Sequence, residues 1–174
     1  MLSEIFYNCG AYGPLILYIF SFYLLRNKET LLYYYNIGFF IDNILNIILK
    51  GIFQEPRPSE DIKQFNLALN SGKRFIFKDG VPFDIFGMPS GHTQSSLFST
   101  IYVYFSLKNL NILYLYLLLS LITVSQRVVY KFHSVLQVLI GSIIGALLGY
   151  YIYYLSQQSI KGIIREKKDD YAPI

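Results

Sequence analysis

Long apolar runs, broken by short polar stretches, dominate the pattern along this chain of 174 residues. Five runs predict membrane-spanning helices, for which about 20 apolar residues are needed. They cover residues 5–25, 31–49, 93–107, 111–124 and 135–155. A soluble helical bundle is the alternative, but a soluble helix shows a polar face and residues 135–155 show almost none. We therefore predict an all-α, integral-membrane bundle of about five helices, with residues 1–174 forming one domain.

One long loop, residues 51–89, joins the second and third predicted spans. Phenylalanine and β-branched residues cluster there among Gly80, Pro82 and Gly87. This pattern predicts a short hairpin or a lid on the membrane surface. The alternative is an interfacial loop whose aromatic rings lie at the level of the lipid headgroups.

The placement of the charges matters more than the net charge of +4. One side of the predicted bundle carries Arg26, Lys28, Lys108, Lys161, Arg165, Lys167 and Lys168. The positive-inside rule therefore predicts a cytosolic C-terminal tail, with the long loop on the lumenal or exterior side. The basic residues are dispersed along the membrane boundaries, which argues against nucleic-acid binding. Because Cys9 is the single cysteine, an internal disulfide and a cysteine-based zinc site are excluded.

The first polar constellation follows the second predicted span and contains Lys50 and Arg57. Pro56 and Pro58 prevent a regular helix from continuing, so Arg57 is expected in an extended segment. The planar fork of arginine and the point charge of lysine both suit a phosphate anion. Flanking charges that only set topology are the alternative interpretation.

The second constellation is Pro89-Ser90-Gly91-His92, directly before the third predicted span. Free backbone N–H groups and the helix dipole make a helix N-terminus an anion site. Gly91 permits close approach of the backbone, and Ser90 is expected to cap the helix or to donate to a phosphate oxygen. His92 adds a titratable ring at the same place.

The third constellation runs from Arg127 to Gln137, between the fourth and fifth predicted spans. The chain must turn between Arg127 and His133 if the two are to share a site, and Ser134 is a candidate N-cap of the last span. His133 and Gln137 are four residues apart and therefore neighbours on one helix face. Gln137 is expected to accept a hydrogen bond from the His133 ring and to fix its tautomer.

Both histidines of the chain fall within these constellations, and all three constellations lie on the long-loop side of the predicted bundle. Charges are costly in the bilayer, so their grouping at one interface points to a common site. Asp42, Asn43 and Asn46 in the second span are expected to bind helix to helix, with a polar path as the alternative.

Together the motifs resemble the type 2 phosphatidic acid phosphatase superfamily, whose pattern is K-x6-R-P, P-S-G-H and S-R-x5-H-x3-D. The chain has Lys50-x6-Arg57-Pro58, Pro89-Ser90-Gly91-His92 and Arg127-x5-His133 in this order. It departs at two positions, where Gln126 replaces the serine and Gln137 the aspartate. The stretch from Phe53 to Pro58 and the stretch from His133 to Val138, which contains Gln137, are similar to the dolichyl diphosphatase branch. Gly91 is closer to the general pattern.

This resemblance implies a phosphatase in which His133 is the nucleophile and His92 the general acid and base. It implies that Lys50, Arg57, Ser90, Gly91 and Arg127 bind the phosphoryl group, while Gln137 orients His133. No metal and no other cofactor is expected, because cations serve in place of a metal. Whether Gln137 lowers the activity stays open.

The expected substrate is a polyprenyl or dolichyl diphosphate, hydrolysed to the monophosphate through a phosphohistidine. Phosphatidic acid, phosphatidylglycerol phosphate, another lipid phosphate and a soluble sugar phosphate are the alternatives. A lipid phosphotransferase and a catalytically inactive membrane relative remain competing hypotheses. The expected location is the endoplasmic reticulum or an equivalent membrane, with a lumenal or exterior active site. The sequence makes no prediction of the oligomeric state.

Overall fold

The computed structural model describes residues 2–78 and 80–161. The helices are α1 (Leu2–Leu25), α2 (Glu29–Phe53), α3 (Ile62–Asn70), α4 (Gly91–Leu107), α5 (Leu110–Val129) and α6 (Val135–Lys161). The strands are β1 (Phe75–Lys78) and β2 (Val81–Asp84). The prediction of a mainly helical bundle is therefore confirmed. Arg165, Lys167 and Lys168, on which the topology prediction partly rests, lie outside the described residues.

Within the described part of the chain, four helices are long and apolar enough to cross a membrane: α1, α2, α5 and α6. The prediction of five spans is not confirmed, because residues 93–107 lie in α4. This helix has only 17 residues, and many of its buried side chains are polar. The buried polar residues are Thr93, Gln94, Ser95, Ser96, Ser99 and Thr100. Because α1, α2, α5 and α6 all contact it, α4 forms the centre of the bundle.

A row of glycines allows α6 to lie directly against α4. A Cβ atom on Gly141, Gly145 or Gly149 would collide with the α4 backbone. The colliding groups belong to Ser90, Gln94 and Phe98, so the contact recurs at each helical turn. Small residues four positions apart are the usual way for membrane helices to approach closely. This packing fixes the height of the N-terminus of α4 relative to α6.

A buried polar network joins α2 to α4. The side-chain amide of Gln94 donates to the Asp42 carboxylate at 3.0 Å, and Ser95 Oγ donates to the same carboxylate at 2.8 Å. Asn46 Nδ2 donates to Gln94 Oε1 at 2.9 Å and to Pro89 O at 3.2 Å. The interpretation of Asp42 and Asn46 as residues that bind helix to helix is confirmed. Asn43 is exposed and donates to Phe39 O within its own helix.

The segment predicted as a long loop with a hairpin or lid, residues 51–89, contains further secondary structure, so a single long loop is not confirmed. Helix α2 continues to Phe53, α3 follows, and β1 and β2 form an antiparallel hairpin. The predicted hairpin is thus confirmed, at residues 75–84. Buried Phe65, Ile85 and Phe86 form a small apolar cluster that packs α3 against the hairpin. Aromatic packing of this kind holds the segment over one end of the bundle.

Candidate active site

Lys50 lies in the last turn of α2, at the end of the bundle that residues 54–90 cover. Its ammonium donates to Phe86 O at 2.6 Å and lies 3.8 Å from Asp84 Oδ2. The side chain is buried, so these two partners replace most of its hydration. Helix α2 ends just beyond, where Gln54 adopts a left-handed conformation with φ 49°. The chain therefore leaves the helix in a sharp turn that leads to Arg57.

Arg57 lies in the non-helical segment that its two flanking prolines impose, as predicted. Its Nε donates to Asp84 O at 3.2 Å, and the guanidinium lies 4.3 Å above the Phe83 ring. Its Nη1 lies 3.4 Å from Nε2 of His133. Stacking and hydrogen bonding fix the plane of the guanidinium, so that Nη1 faces the histidine.

Asp84, at the end of β2, belongs to the site although no sequence motif marks it. Its carboxylate pairs with Arg74 at 3.0 Å and 3.3 Å and accepts from the Phe86 backbone N–H at 3.1 Å. Its side chain also contacts Lys50, and its carbonyl accepts from Arg57. One hairpin residue thus positions two of the predicted phosphate-binding cations. No spacing rule links residue 84 to residues 50 and 57, since only the hairpin brings them together.

Ser90 occupies the N-cap position of α4, but its hydroxyl does not cap the helix. Its Oγ is fully buried and is one of the few buried side-chain polar atoms without a partner among the described residues. The backbone N–H of Ser90 donates to Gln137 O at 3.1 Å, which ties α4 to α6. A Cβ atom on Gly91 would lie 2.9 Å from Asn46 Oδ1, so glycine permits the close approach of α2.

His92 lies in the first turn of α4 and is partly exposed. Its ring interacts with the backbone of Ala11 in α1. Burial, followed by the charges of Arg127, Arg57 and Lys50, lowers the pKa of His92 to about 3. Helix α1 therefore supplies one wall of the site, a contribution that no motif in its sequence indicated.

Arg127 lies in the last turn of α5, because this helix runs five residues beyond the predicted end at residue 124. Its guanidinium lies 5.0 Å from the centre of the Phe132 ring, and its buried Nε has no hydrogen-bond partner in the described structure. Gln126, which replaces the serine of the family pattern, is buried against Gly10 of α1.

A tight turn brings His133 back towards Arg127, as the sequence required. Lys131 adopts a left-handed conformation with φ 56°, and His133 N donates to Arg127 O at 3.1 Å. Ser134 Oγ accepts from Gln137 N at 3.2 Å, so its prediction as the N-cap of the last helix is confirmed. The turn places the His133 ring in the interior, where only 3% of its surface is exposed.

The tautomer of His133 follows from its neighbours. Its Nδ1 lies 2.8 Å from Gly87 O and 3.2 Å from Gln137 Oε1, and both of these oxygens are acceptors. The proton therefore resides on Nδ1, and the Nε2 lone pair faces Arg57. Burial, followed by the charges of Arg57, Lys50 and Arg127, lowers the pKa of His133 to about 2. The ring is neutral near pH 7, and its unprotonated Nε2 accepts a hydrogen bond from Arg57 Nη1.

The three constellations thus meet at one end of the bundle. The charges of Lys50, Arg57 and Arg127 surround His133, and Ser90 Oγ and Arg127 Nε remain as buried donors without partners in the described residues. Clustered cations, unpaired donors and an unprotonated imidazole nitrogen suit a phosphoryl group, which has several anionic oxygens and an electrophilic centre.

Comparisons with known proteins agree with this arrangement. The family model of the PAP2 superfamily matches residues 31–161. The chain is 31% identical over 163 residues to a dolichyldiphosphatase of Saccharomyces cerevisiae, covering 87% of this chain and 60% of that protein. The chain thus spans about three fifths of the length of this curated relative. Its fold is similar to the crystal structure of a transmembrane PAP2 type phosphatidylglycerolphosphate phosphatase from Bacillus subtilis. The TM-score is 0.63 and the identity 20%, over 94% of this chain and 80% of that one.

Proposed function

The chain belongs to the PAP2 superfamily, and from this premise we propose that it is a multi-pass membrane lipid phosphatase. Its proposed substrate is a dolichyl or other polyprenyl diphosphate, and its product is the corresponding monophosphate. The observation that carries this proposal is the neutral His133 ring, whose Nε2 lone pair faces Arg57 at 3.4 Å among clustered cations.

The proposed first step transfers the terminal phosphoryl group to His133. The Nε2 lone pair forms a bond to the terminal phosphorus, while the bond from this phosphorus to the bridging oxygen breaks. The lipid monophosphate leaves with the bridging oxygen, which accepts a proton from His92. Burial and nearby cations lower the pKa of His92 in the substrate-free protein, so His92 takes up this proton from solvent when the anionic diphosphate binds and offsets those charges. Lys50, Arg57 and Arg127, with Ser90 and the Gly91 N–H, bind the phosphoryl oxygens. Covalent catalysis divides the reaction into two easier displacements.

The proposed second step is hydrolysis of the phosphohistidine. His92, neutral after its proton has gone to the leaving group, accepts a proton from water as this water attacks phosphorus. The phosphorus–nitrogen bond breaks, inorganic phosphate is released, and His133 regains its lone pair. Each group returns to its starting state, so the cycle needs no further reactant.

Two observations support a polyprenyl diphosphate over other lipid phosphates. The first is the similarity to a dolichyldiphosphatase. The second is that Gln137 and the stretch from Gln54 to Pro58 resemble that branch of the family. With this substrate, the proposed location is the endoplasmic reticulum or an equivalent membrane, with the site on the lumenal or exterior side.

The test is phosphate release by the protein purified in detergent, with EDTA present throughout. Dolichyl diphosphate, a shorter polyprenyl diphosphate, phosphatidic acid and phosphatidylglycerol phosphate are compared, with His133→Ala as the control. We expect release from the diphosphates that is lost in the variant. Preference for phosphatidic acid would replace the proposed substrate. A folded protein that releases no phosphate would overturn the proposed hydrolase, and lipid products that carry the phosphoryl group would identify a transferase.

The covalent intermediate has its own test. The unmodified chain is mixed with dolichyl diphosphate labelled at the terminal phosphate and quenched within one turnover, with His133→Ala as the control. We expect label on the unmodified protein that is stable in alkali and lost in acid, and no label on the variant. Absence of protein-bound label in a chain that releases phosphate would exclude the intermediate.

A further inference from the structure

Gln137 has a complete set of hydrogen bonds, and these fix which way its amide points. Its Nε2 donates to Glu55 Oε1 at 3.1 Å and to Pro56 O at 2.9 Å. Its Oε1 accepts from Ser134 N at 3.2 Å and lies 3.2 Å from His133 Nδ1. Two acceptors on one side and two donors on the other permit only this orientation. Glu55 therefore contributes to turning the amide oxygen towards the histidine.

Glu55 also acts on His133 through its backbone. The carbonyl of Glu55 accepts from Gly87 N at 2.6 Å, and the carbonyl of Gly87 accepts from His133 Nδ1 at 2.8 Å. Gly87 has no room for a side chain, since a Cβ atom there would lie 2.7 Å from Gln137 Oε1. Four residues thus form a closed ring of hydrogen bonds: Glu55, Gln137, His133 and Gly87.

We propose that Glu55 is a positioning residue whose carboxylate acts through the Gln137 amide. It holds His133 in the Nδ1–H tautomer and stabilises the positive charge that the ring acquires when Nε2 bonds to phosphorus. This inference rests on the proposed function of His133 as nucleophile. In the family pattern an aspartate at position 137 supplies this negative charge directly. Here the charge lies one hydrogen bond further away, on a residue between Lys50 and Arg57.

The physical basis is polarisation along a hydrogen-bond chain. A carboxylate that accepts from one end of an amide makes the oxygen at the other end a stronger acceptor. Gln137 is 1% exposed and His133 3% exposed, whereas Glu55 is partly exposed. Water therefore screens the Glu55 carboxylate in part, but not the hydrogen bond from His133 to Gln137. A neutral glutamine thereby gains part of the character of a carboxylate.

The first test separates the charge of Glu55 from its shape. Glu55→Gln keeps an acceptor oxygen and removes only the charge, whereas Glu55→Ala removes both. We expect kcat for the diphosphate to fall about tenfold in Glu55→Gln, within the range for partners that orient ligating histidines, with KM changed by less than about twofold. Glu29→Gln is the matched control, because Glu29 lies in the first turn of α2, about 30 Å along the helix from Lys50. Unchanged kcat in Glu55→Gln would overturn the proposal.

The second test asks whether Glu55 acts through Gln137. Gln137→Asp places a carboxylate directly beside His133 and removes the amide through which Glu55 acts. In this background we expect Glu55→Gln to change kcat by less than about twofold, which is the non-additivity of residues that act as one unit. The same tenfold loss in both backgrounds would show that Glu55 acts independently, which would contradict the proposal.

A third measurement does not depend on activity. The chain has two histidines, so ¹⁵N-histidine labelling gives two rings, which His92→Asn assigns. We expect a protonated Nδ1 on His133 and an upfield shift of its proton in Glu55→Gln, because the hydrogen bond to Gln137 weakens. Absence of a proton on Nδ1 of His133 would overturn the inference. An Nδ1 proton whose chemical shift does not change in Glu55→Gln would overturn it as well. If the NMR result is as expected but the unmodified protein releases no phosphate, the proposed function is overturned instead.

Discussion

Nη1 of Arg57 lies 3.4 Å from Nε2 of His133, the ring nitrogen that carries no proton. The contact joins the first polar motif of the chain to the third, across 76 residues. A fixed guanidinium next to the unprotonated Nε2 would bind an oxygen of the phosphoryl group. The phosphorus would then face Nε2 for attack.

Arg57→Lys tests whether the planar fork, and not the charge alone, is needed. Lysine keeps the charge but loses the stacking on Phe83 and the bond from Nε to Asp84 O. We expect kcat/KM for phosphate release to fall about 10²-fold, the loss typical of one preorganised donor to a transition state. Arg26→Lys is the control, because Arg26 stacks on Tyr23 in an exposed position that no constellation includes. Equal activity of Arg57→Lys and the unmodified chain would contradict this role.

Asp84→Asn tests the hairpin as a support for Lys50 and Arg74. The change removes the charge that pairs with both cations. We expect a higher KM and a loss of about 1–3 kcal/mol in the free energy of unfolding, because two half-buried or buried cations lose their counter-ion. Steady-state kinetics and denaturation in detergent measure the two effects. Asp61→Asn is the control: Asp61 caps α3 through its carboxylate, and asparagine caps equally well.

The sequence predicted most of the site because its chemistry lies in short motifs. Lys50, Arg57, Ser90, His133 and Gln137 are each marked by a local pattern, and a turn between α5 and α6 was required for Arg127 to meet His133. Asp84 and Glu55 carried no such signal, because their partners are distant in sequence and only the tertiary fold brings them together. A local sequence pattern does not show which residues distant in the chain form a hydrogen bond.

The predicted count of five spans is not confirmed for a related reason. The apolar run at residues 93–107 was interpreted as a lipid-exposed span. In the structure, α4 buries several polar side chains against its neighbouring helices. Gln94, Ser95 and Thr93 have partners on α2 and α6, so this helix does not need an apolar surface on all sides. The boundaries of α2 and α5 also extended beyond the apolar runs, since polar residues such as Lys50 and Arg127 complete their last turns inside the protein.

Gly145→Ala tests the contact that sets the position of α4. A methyl group at this position would overlap the carbonyl of Gln94, and backbone cannot move aside as a flexible side chain can. We expect the free energy of unfolding in detergent to fall by about 1–3 kcal/mol, the usual range for overpacking, with a loss of phosphate release. Gly51→Ala is the matched helical control, because its nearest contact is the Arg74 side chain at 3.4 Å. Equal stability of the two variants would contradict the packing argument.

The pH dependence of stability provides a test of the His133 environment without any substrate. The pKa of His133 is about 2 in the folded protein because of burial and three nearby cations, whereas the unfolded chain has the ordinary value of about 6.5. Below pH 6.5 the unfolded state therefore binds a proton that the folded state does not. Stability is unaffected by this group above pH 6.5 and falls as the pH decreases from 6.5 towards 2.

His133→Asn removes this proton-binding site while keeping a polar side chain of similar size. Thermal unfolding is measured in detergent and phosphate-free buffer at pH 7.5, 6.5, 5.5 and 5.0. We expect the unmodified chain to lose stability more steeply below pH 6.5 than His133→Asn, by at most about 1.4 kcal/mol per pH unit. Other groups titrate equally in both proteins, so the difference between the two curves reports His133. Parallel curves would mean that the folded protein protonates His133 as readily as the unfolded chain does, and the neutral nucleophile would have to be abandoned.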